Sequence, residues 1–247
     1  MTELSRLTDF YLELDGSAAL SAALLDEVGA VCRQVGDGKK DASLLVRMVG
    51  ACVGPAVGAG AAGEADGPWP YDVDVHAVNQ WERVLRRLER IPAVTVAVVD
   101  GVCRGPALDV LLTTDYRIAT PDTRLRVPSI GRNTWPGMTL HRLATQLGVA
   151  RARQAALFGT EIDAARACTW GLLDEVADDT AARCREVLNG FAGVSGKEVS
   201  IRRQLLFEAS STSFEDALGS HLAACDRALR LASTGPDAAP GMPEVSG

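Results

Sequence analysis

Ile91–Ala119 reads IPAVTVAVVDGVCRGPALDVLLTTDYRIA, and the order of its apolar runs decides the fold. A mostly apolar run, Val94 to Val99, ends at Gly101. Gly105-Pro106 then opens a second apolar run that closes on Asp115. A short apolar run, a glycine stop and a proline at the first helical position predict a buried strand, a tight turn and a helix start. Strand-to-helix turns present backbone N–H groups to an anionic ligand or a developing oxyanion. Pro106 has no N–H to present. A site is therefore expected at this turn, with one donor position unable to donate.

Working outward, residues 8–14 alternate as a strand and stop at Asp15-Gly16, and residues 18–35 carry Leu20, Leu24, Val28, Val31 and Val35 at helical spacing. Residues 43–49 (SLLVRMV) read as an interior strand. Gly50–Pro70 is a loop rich in Gly, Ala and Pro, of a length that usually carries function. Residues 73–90 return to helix, with Val78, Trp81, Leu85 and Leu88 on one face. Tyr116–Ala119 is a short strand, Leu125–Trp135 is irregular, and Pro136-Gly137 precedes a helix through Leu147. Further helices are expected at 149–158, 163–170, 180–192, 197–208 and 214–232, with a strand-like stretch at 172–176. The tail from Ser233 is Pro/Gly/Ala-rich and expected to be disordered. Alternating strands and helices predict one α/β domain followed by a helical part.

The 247 residues are 47% hydrophobic, enough for a sizeable core. No apolar run reaches the length of a membrane span, and MTELSRLTDF lacks the apolar stretch of a signal peptide. The six cysteines are scattered without a C-x-x-C pair, which fits reduced thiols and a cytoplasmic location. A net charge of −7 argues against nucleic acid or an anionic membrane as partner. Arg83, Arg86, Arg87 and Arg90 nevertheless cluster, most simply as a solvated helix face. No metal-ligand cluster, P-loop or Ser-His-Asp arrangement is visible.

Ile91–Val176 resembles the crotonase (enoyl-CoA hydratase/isomerase) superfamily. The family pattern P-V-I-A-A-V-N-G-x-A-x-G-G-G-x-E-L-A-L-x-C-D-x-x-I-A runs without a gap along Pro92–Ala119. Pro136-Gly137 matches the family's P-G before a helix, and Leu157–Leu173 is similar to its L-x-G…A-x-x-x-G-L-V segment. The resemblance implies an α/β crotonase-like ββα spiral over residues 1–192 and a C-terminal helical trimerisation region over 193–232, with 233–247 as the tail. It also implies an acyl-CoA thioester as substrate, with no cofactor beyond the CoA that the substrate carries.

Residue by residue, the resemblance places the first oxyanion donor at Ala59, in Pro55–Gly60. The second falls on Pro106, so the N–H of Gly105 or Ala107 would have to substitute. The first catalytic glutamate falls on Asp109, an acid on a shorter arm, and the second on Ser129, which can orient a water but is no general base unaided. Asp109 reads equally as an acid/base raised by burial and as a first-turn acid complementing the helix dipole. Asp115 reads as a structural acid at the strand start. His76, His141 and His221 read first as structural or exposed helical histidines, Trp135 as a pocket wall or core residue, Trp170 as core, and Arg202 and Arg203 as surface charge.

The N-terminal LDGSAALSAALLDEV lacks the family's full R-P-x-x-x-N-A-L signature. In this it is similar to the small crotonase homologue of the dihydroxyphenylglycine pathway. That implies dehydration or aromatisation of a polyketide-CoA toward 3,5-dihydroxyphenylacetyl-CoA, in assistance to a type III polyketide synthase. The alternative is a non-catalytic subunit that binds or organises a partner enzyme. The implied assembly is a homotrimer or hexamer, or a hetero-oligomer with another crotonase.

Overall fold

The strand predicted to end at Gly101 runs on through it, and that continuation organises the molecule. The computed structural model describes residues 2–38, 41–51, 73–130 and 133–234. After a short 3-10 turn at Leu4–Arg6 come β1 (Phe10–Asp15), α1 (Ala22–Gly36), β2 (Ala42–Gly50), α2 (Val75–Leu88), β3 (Ala93–Arg104) and α3 (Pro106–Leu111). Next are β4 (Tyr116–Ala119), β5 (Arg124–Arg126), β6 (Ser129–Ile130), β7 (Asn133–Thr134), α4 (Met138–Leu147) and α5 (Val149–Leu157). β8 (Ile162–Asp163), α6 (Ala164–Trp170), β9 (Glu175–Val176), α7 (Thr180–Gly190), α8 (Gly196–Glu208) and α9 (Phe214–Thr234) complete the order.

Strand order in the main sheet is β1-β2-β3-β4-β9, with parallel neighbours throughout. β3 serves two partners in succession: Val96–Val99 pair with β4, and Val102–Arg104 pair with β5. Gly101 lies between these segments with φ +80°, a conformation that lets the strand turn without ending. Periodicity alone marks glycine as a stop, whereas here it re-aims the strand toward β5, which then pairs antiparallel with β8. The stretch expected to be irregular likewise holds β5 and the β6–β7 hairpin. Strands of two or three residues are too short to show alternation.

β2 and β3 are covered on both faces, as a parallel sheet requires. Leu44, Val46 and Met48 enter one core with Val28, Val35, Leu85 and Leu88, while Leu45, Val96 and Val98 enter a second with Ile118, Cys184 and Val187. Side-chain caps set helix starts: Ser21 accepts the Leu24 N–H, and Asp74 accepts the Ala77 N–H.

Gly50 packs so tightly on β3 that a Cβ there would lie 2.0 Å from the Val102 carbonyl oxygen. Because that obstacle is backbone, Gly50→Ala is expected to lose about 1–3 kcal/mol in urea unfolding.

Contacts divide the chain at Ser200–Ile201, within α8. The first unit holds the sheet, its helices and the start of α8; the second holds the rest of α8 and α9. Residues 52–70 of the predicted loop lie outside the described residues, while Gly50 closes β2. α9 extends to Thr234, so only residues 235–247 of the predicted tail lie outside them. Among the described residues no helix is long and apolar enough to cross a membrane.

Candidate active site

α3 begins where β3 ends, with Gly105 as N-cap and Pro106 at the first helical position. The first helical hydrogen bond runs from the Asp109 N–H to the Gly105 carbonyl at 3.1 Å. The N–H groups of Gly105 and Ala107 precede that bond, so the helix itself supplies them no acceptor. Pro106 fits this position structurally because a first-turn N–H has no helical partner. It leaves nothing to donate to a ligand.

One turn in, Asp109 is 4% exposed. Its Oδ2 accepts the Trp81 indole N–H at 3.1 Å, and its Oδ1 accepts the Thr139 hydroxyl at 2.5 Å. Burial is the main influence on this carboxyl and raises its pKa from 3.8 to about 6. The hydrogen bonds from Thr139 and Trp81 and the charge of Arg142 pull the other way. The group therefore titrates near neutrality, where it can hold or release a proton.

Behind it lies a buried ion cluster joining α2 to α4. Arg142 pairs through Nη2 with Glu82 at 2.8 Å and through Nε with Glu89 at 3.1 Å. Arg86 reaches the other oxygen of Glu89 at 3.1 Å. Burial opposes the charge on Arg142, but the pairing with Glu82 and Glu89 outweighs it and raises the pKa. Among the described residues, Arg142 Nη1 has no hydrogen-bond partner. Trp81 adjoins Glu82 in sequence, and Thr139 precedes Arg142 by three positions on α4. Trp81 and Glu82 on α2, and Thr139 and Arg142 on α4, thus sit one turn or less apart, while Glu89 closes the clamp at the C-cap of α2.

Gly105, Pro106, Ala107 and Asp109 are brought together at the start of α3. Ser129 lies in β6, whose backbone pairs with Thr134, and its side chain is outside what is described. Ala59 lies outside the described residues. Asp115 has the structural role expected: its carboxylate accepts the Thr95 N–H at 2.9 Å and hydroxyl at 2.8 Å. His76 and His141 are exposed. Trp135 and Trp170 are half-buried against the main core; Arg202 is exposed as expected, whereas Arg203, expected as surface charge, is buried.

Trp81, Thr139 and Arg142 are the residues that sequence reasoning did not assign to the site. Trp81 carried the one available signal, since a tryptophan on the buried face of a helix needs an acceptor for its N–H.

A family model described as enoyl-CoA hydratase/isomerase matches residues 19–215. A curated relative from Amycolatopsis orientalis, described as Enoyl-CoA-hydratase, is 44% identical over 226 residues, covering 92% of this chain and 98% of the relative. An enoyl-CoA hydratase structure from Shewanella pealeana superposes with TM-score 0.71 at 18% identity, over 89% of this chain and 81% of that one. An enoyl-CoA hydratase/isomerase structure from Marinobacter aquaeolei gives 0.68 at 19% identity, over 88% and 84%. These two likenesses establish the same fold.

Proposed function

Because the chain belongs to the enoyl-CoA hydratase/isomerase family, we propose that it acts on an acyl-CoA thioester with Asp109 as its acid/base. The observation that carries this reading is a buried carboxyl at the start of α3 that titrates near pH 6. In the reaction, N–H donors hold the thioester carbonyl as its α-carbon takes on enolate character, each contributing roughly 2.7–4 kcal/mol by analogy with other oxyanion holes. Ala59 and either Gly105 or Ala107 fill these roles, since Pro106 lacks an N–H. Asp109 moves the proton, and Ser129 orients a water or a substrate oxygen.

The finer reading is a hydro-lyase that dehydrates or aromatises a polyketide-CoA toward 3,5-dihydroxyphenylacetyl-CoA, assisting a type III polyketide synthase. Aromatisation drives loss of water, so one carboxyl and a reduced set of donors suffice. A homotrimer or hexamer is the proposed assembly.

Isothermal titration with CoA and acetyl-CoA is expected to give micromolar binding. Synthase and malonyl-CoA should then yield more aromatic product with this protein than without it; equal yields count against the finer reading. A non-catalytic subunit, alone or mixed with another crotonase, is the second reading. Pro106 favours it, as does the capture of both Asp109 oxygens by Trp81 and Thr139. Full stimulation of the synthase by Asp109→Asn would decide for it.

A further inference from the structure

Away from Asp109, the far side of α2 borders a cavity of about 700 Å3, and four arginines line it. Arg83, Arg86, Arg87 and Arg90 fall at helical spacing, so they share one face with Asn79 and meet Cys32 of α1 and Pro92 across the hollow. Arg86 and Arg87 sit in the last turn of α2, where a cation suits the helix C-terminus. That accounts for neither Arg83, a turn earlier, nor the gathering of four arginines along one concavity.

Like charges three and four residues apart repel, and a solvated face would interleave acids to offset them. Here the acids are already paired. Glu82, the acid lining the cavity among the described residues, is taken by Arg142, and Glu89 is shared between Arg142 and Arg86. On α1, Arg33 adds a fifth positive charge, acting with Arg87 on the Cys32 thiol. In a chain of net charge −7, this is a concentrated positive site.

We infer that this arginine-lined hollow on α2 is a binding site for a small diphosphate-bearing anion, separate from the Asp109 site. The volume lies within the range of small-molecule pockets. Guanidinium forks bind phosphate oxygens two at a time, and several forks around one hollow match a group with two adjacent phosphates. Concavity favours a compact phosphate ester over an acidic protein surface, which needs a broader footprint.

The test uses the full chain, titrated calorimetrically with inorganic pyrophosphate and with ADP at low and at physiological salt. Both are expected to bind, more weakly as salt rises. Arg83→Gln/Arg87→Gln should weaken pyrophosphate binding at least tenfold while leaving unchanged the binding of S-acetylpantetheine, a thioester that carries no diphosphate. Both side chains are exposed, and thermal unfolding checks that the variant keeps its fold. Tighter binding of ADP than of pyrophosphate would identify a nucleotide as the occupant; equal binding would identify the diphosphate alone. The inference is overturned by no binding of either probe at millimolar concentration, or by equal affinity in the double variant. A parallel loss of S-acetylpantetheine binding overturns it as a separate site. Binding of a hexaglutamate peptide with no pyrophosphate binding would give the hollow to an acidic protein segment instead.

Discussion

Asp109→Asn is expected to abolish turnover of the acyl-CoA substrate and, at the same time, to stabilise the fold above neutral pH. The first effect follows if Asp109 is the proposed acid/base, because losing a proton-transfer group lowers rates by about 10²–10⁴-fold. The second follows from linkage. The folded Asp109 pKa of about 6 lies above its ordinary 3.8, so between those values the folded state holds more protons than the unfolded one. The Asp109 contribution to stability therefore falls as pH rises from about 4 to about 6, and that loss persists above it. At most the loss is roughly 3 kcal/mol, and hydrogen bonds to the carboxylate that the amide cannot match reduce the recoverable part to about 1–3 kcal/mol.

The amide fits the site. Its oxygen can take the Trp81 N–H, and its NH2 can donate to a Thr139 hydroxyl that rotates to accept. Thermal unfolding at pH 8 should give a higher Tm for the variant, by about 2–4 °C for each kcal/mol, with the gap closing near pH 4. An unchanged Tm difference across that range would mean that Asp109 is not held above its ordinary pKa. Full activity in the variant would remove Asp109 from the chemistry and leave it as a tie between α2, α3 and α4.

Removal of Arg142 should have the largest effect on stability. Arg142→Met leaves Glu89 buried without the guanidinium that pairs with its Oε1, and strips Glu82 of the same partner. Breaking a buried pair in this way costs about 3–5 kcal/mol because a charge stays behind in a poorly solvated site. Urea unfolding should register that loss. Adding Glu89→Gln to Arg142→Met should recover at least half of it, since the stranded charge is then gone. If the double variant is no more stable than the single one, packing of the arginine stem rather than charge is what α2 and α4 share. The same substitution removes a positive charge that lowers the Asp109 pKa, so Asp109 should titrate at higher pH in any variant that keeps its fold. The Trp81 indole N–H, bonded to that carboxyl, offers an NMR signal that follows the titration.

The local order of the fold was legible because its causes are local. Apolar runs placed β2 and the first half of β3, helical spacing placed α2, and Pro106 fixed the start of α3. The same locality misread Gly101, where the pairing partner rather than the residue decided that β3 continues. The ungapped motif from Pro92 to Ala119 was enough to place Asp109 and Pro106 at a helix start and to point to the family.

The environment of Asp109 was not legible. Its two donors, Trp81 and Thr139, stand 28 and 30 residues away, on helices that meet only once the chain is folded. A carboxyl's pKa depends on who surrounds it and how little water remains, and no local pattern records either. The arginines of α2 divide along the same line. Their spacing was plain in the sequence, but only packing turned Glu82 and Glu89 toward Arg142 and left the positive charge facing a hollow. Sequence by itself determined most of the longer elements and the acid at the turn. Tertiary structure decided what that acid touches, because burial and long-range pairing exist only once distant segments share a volume.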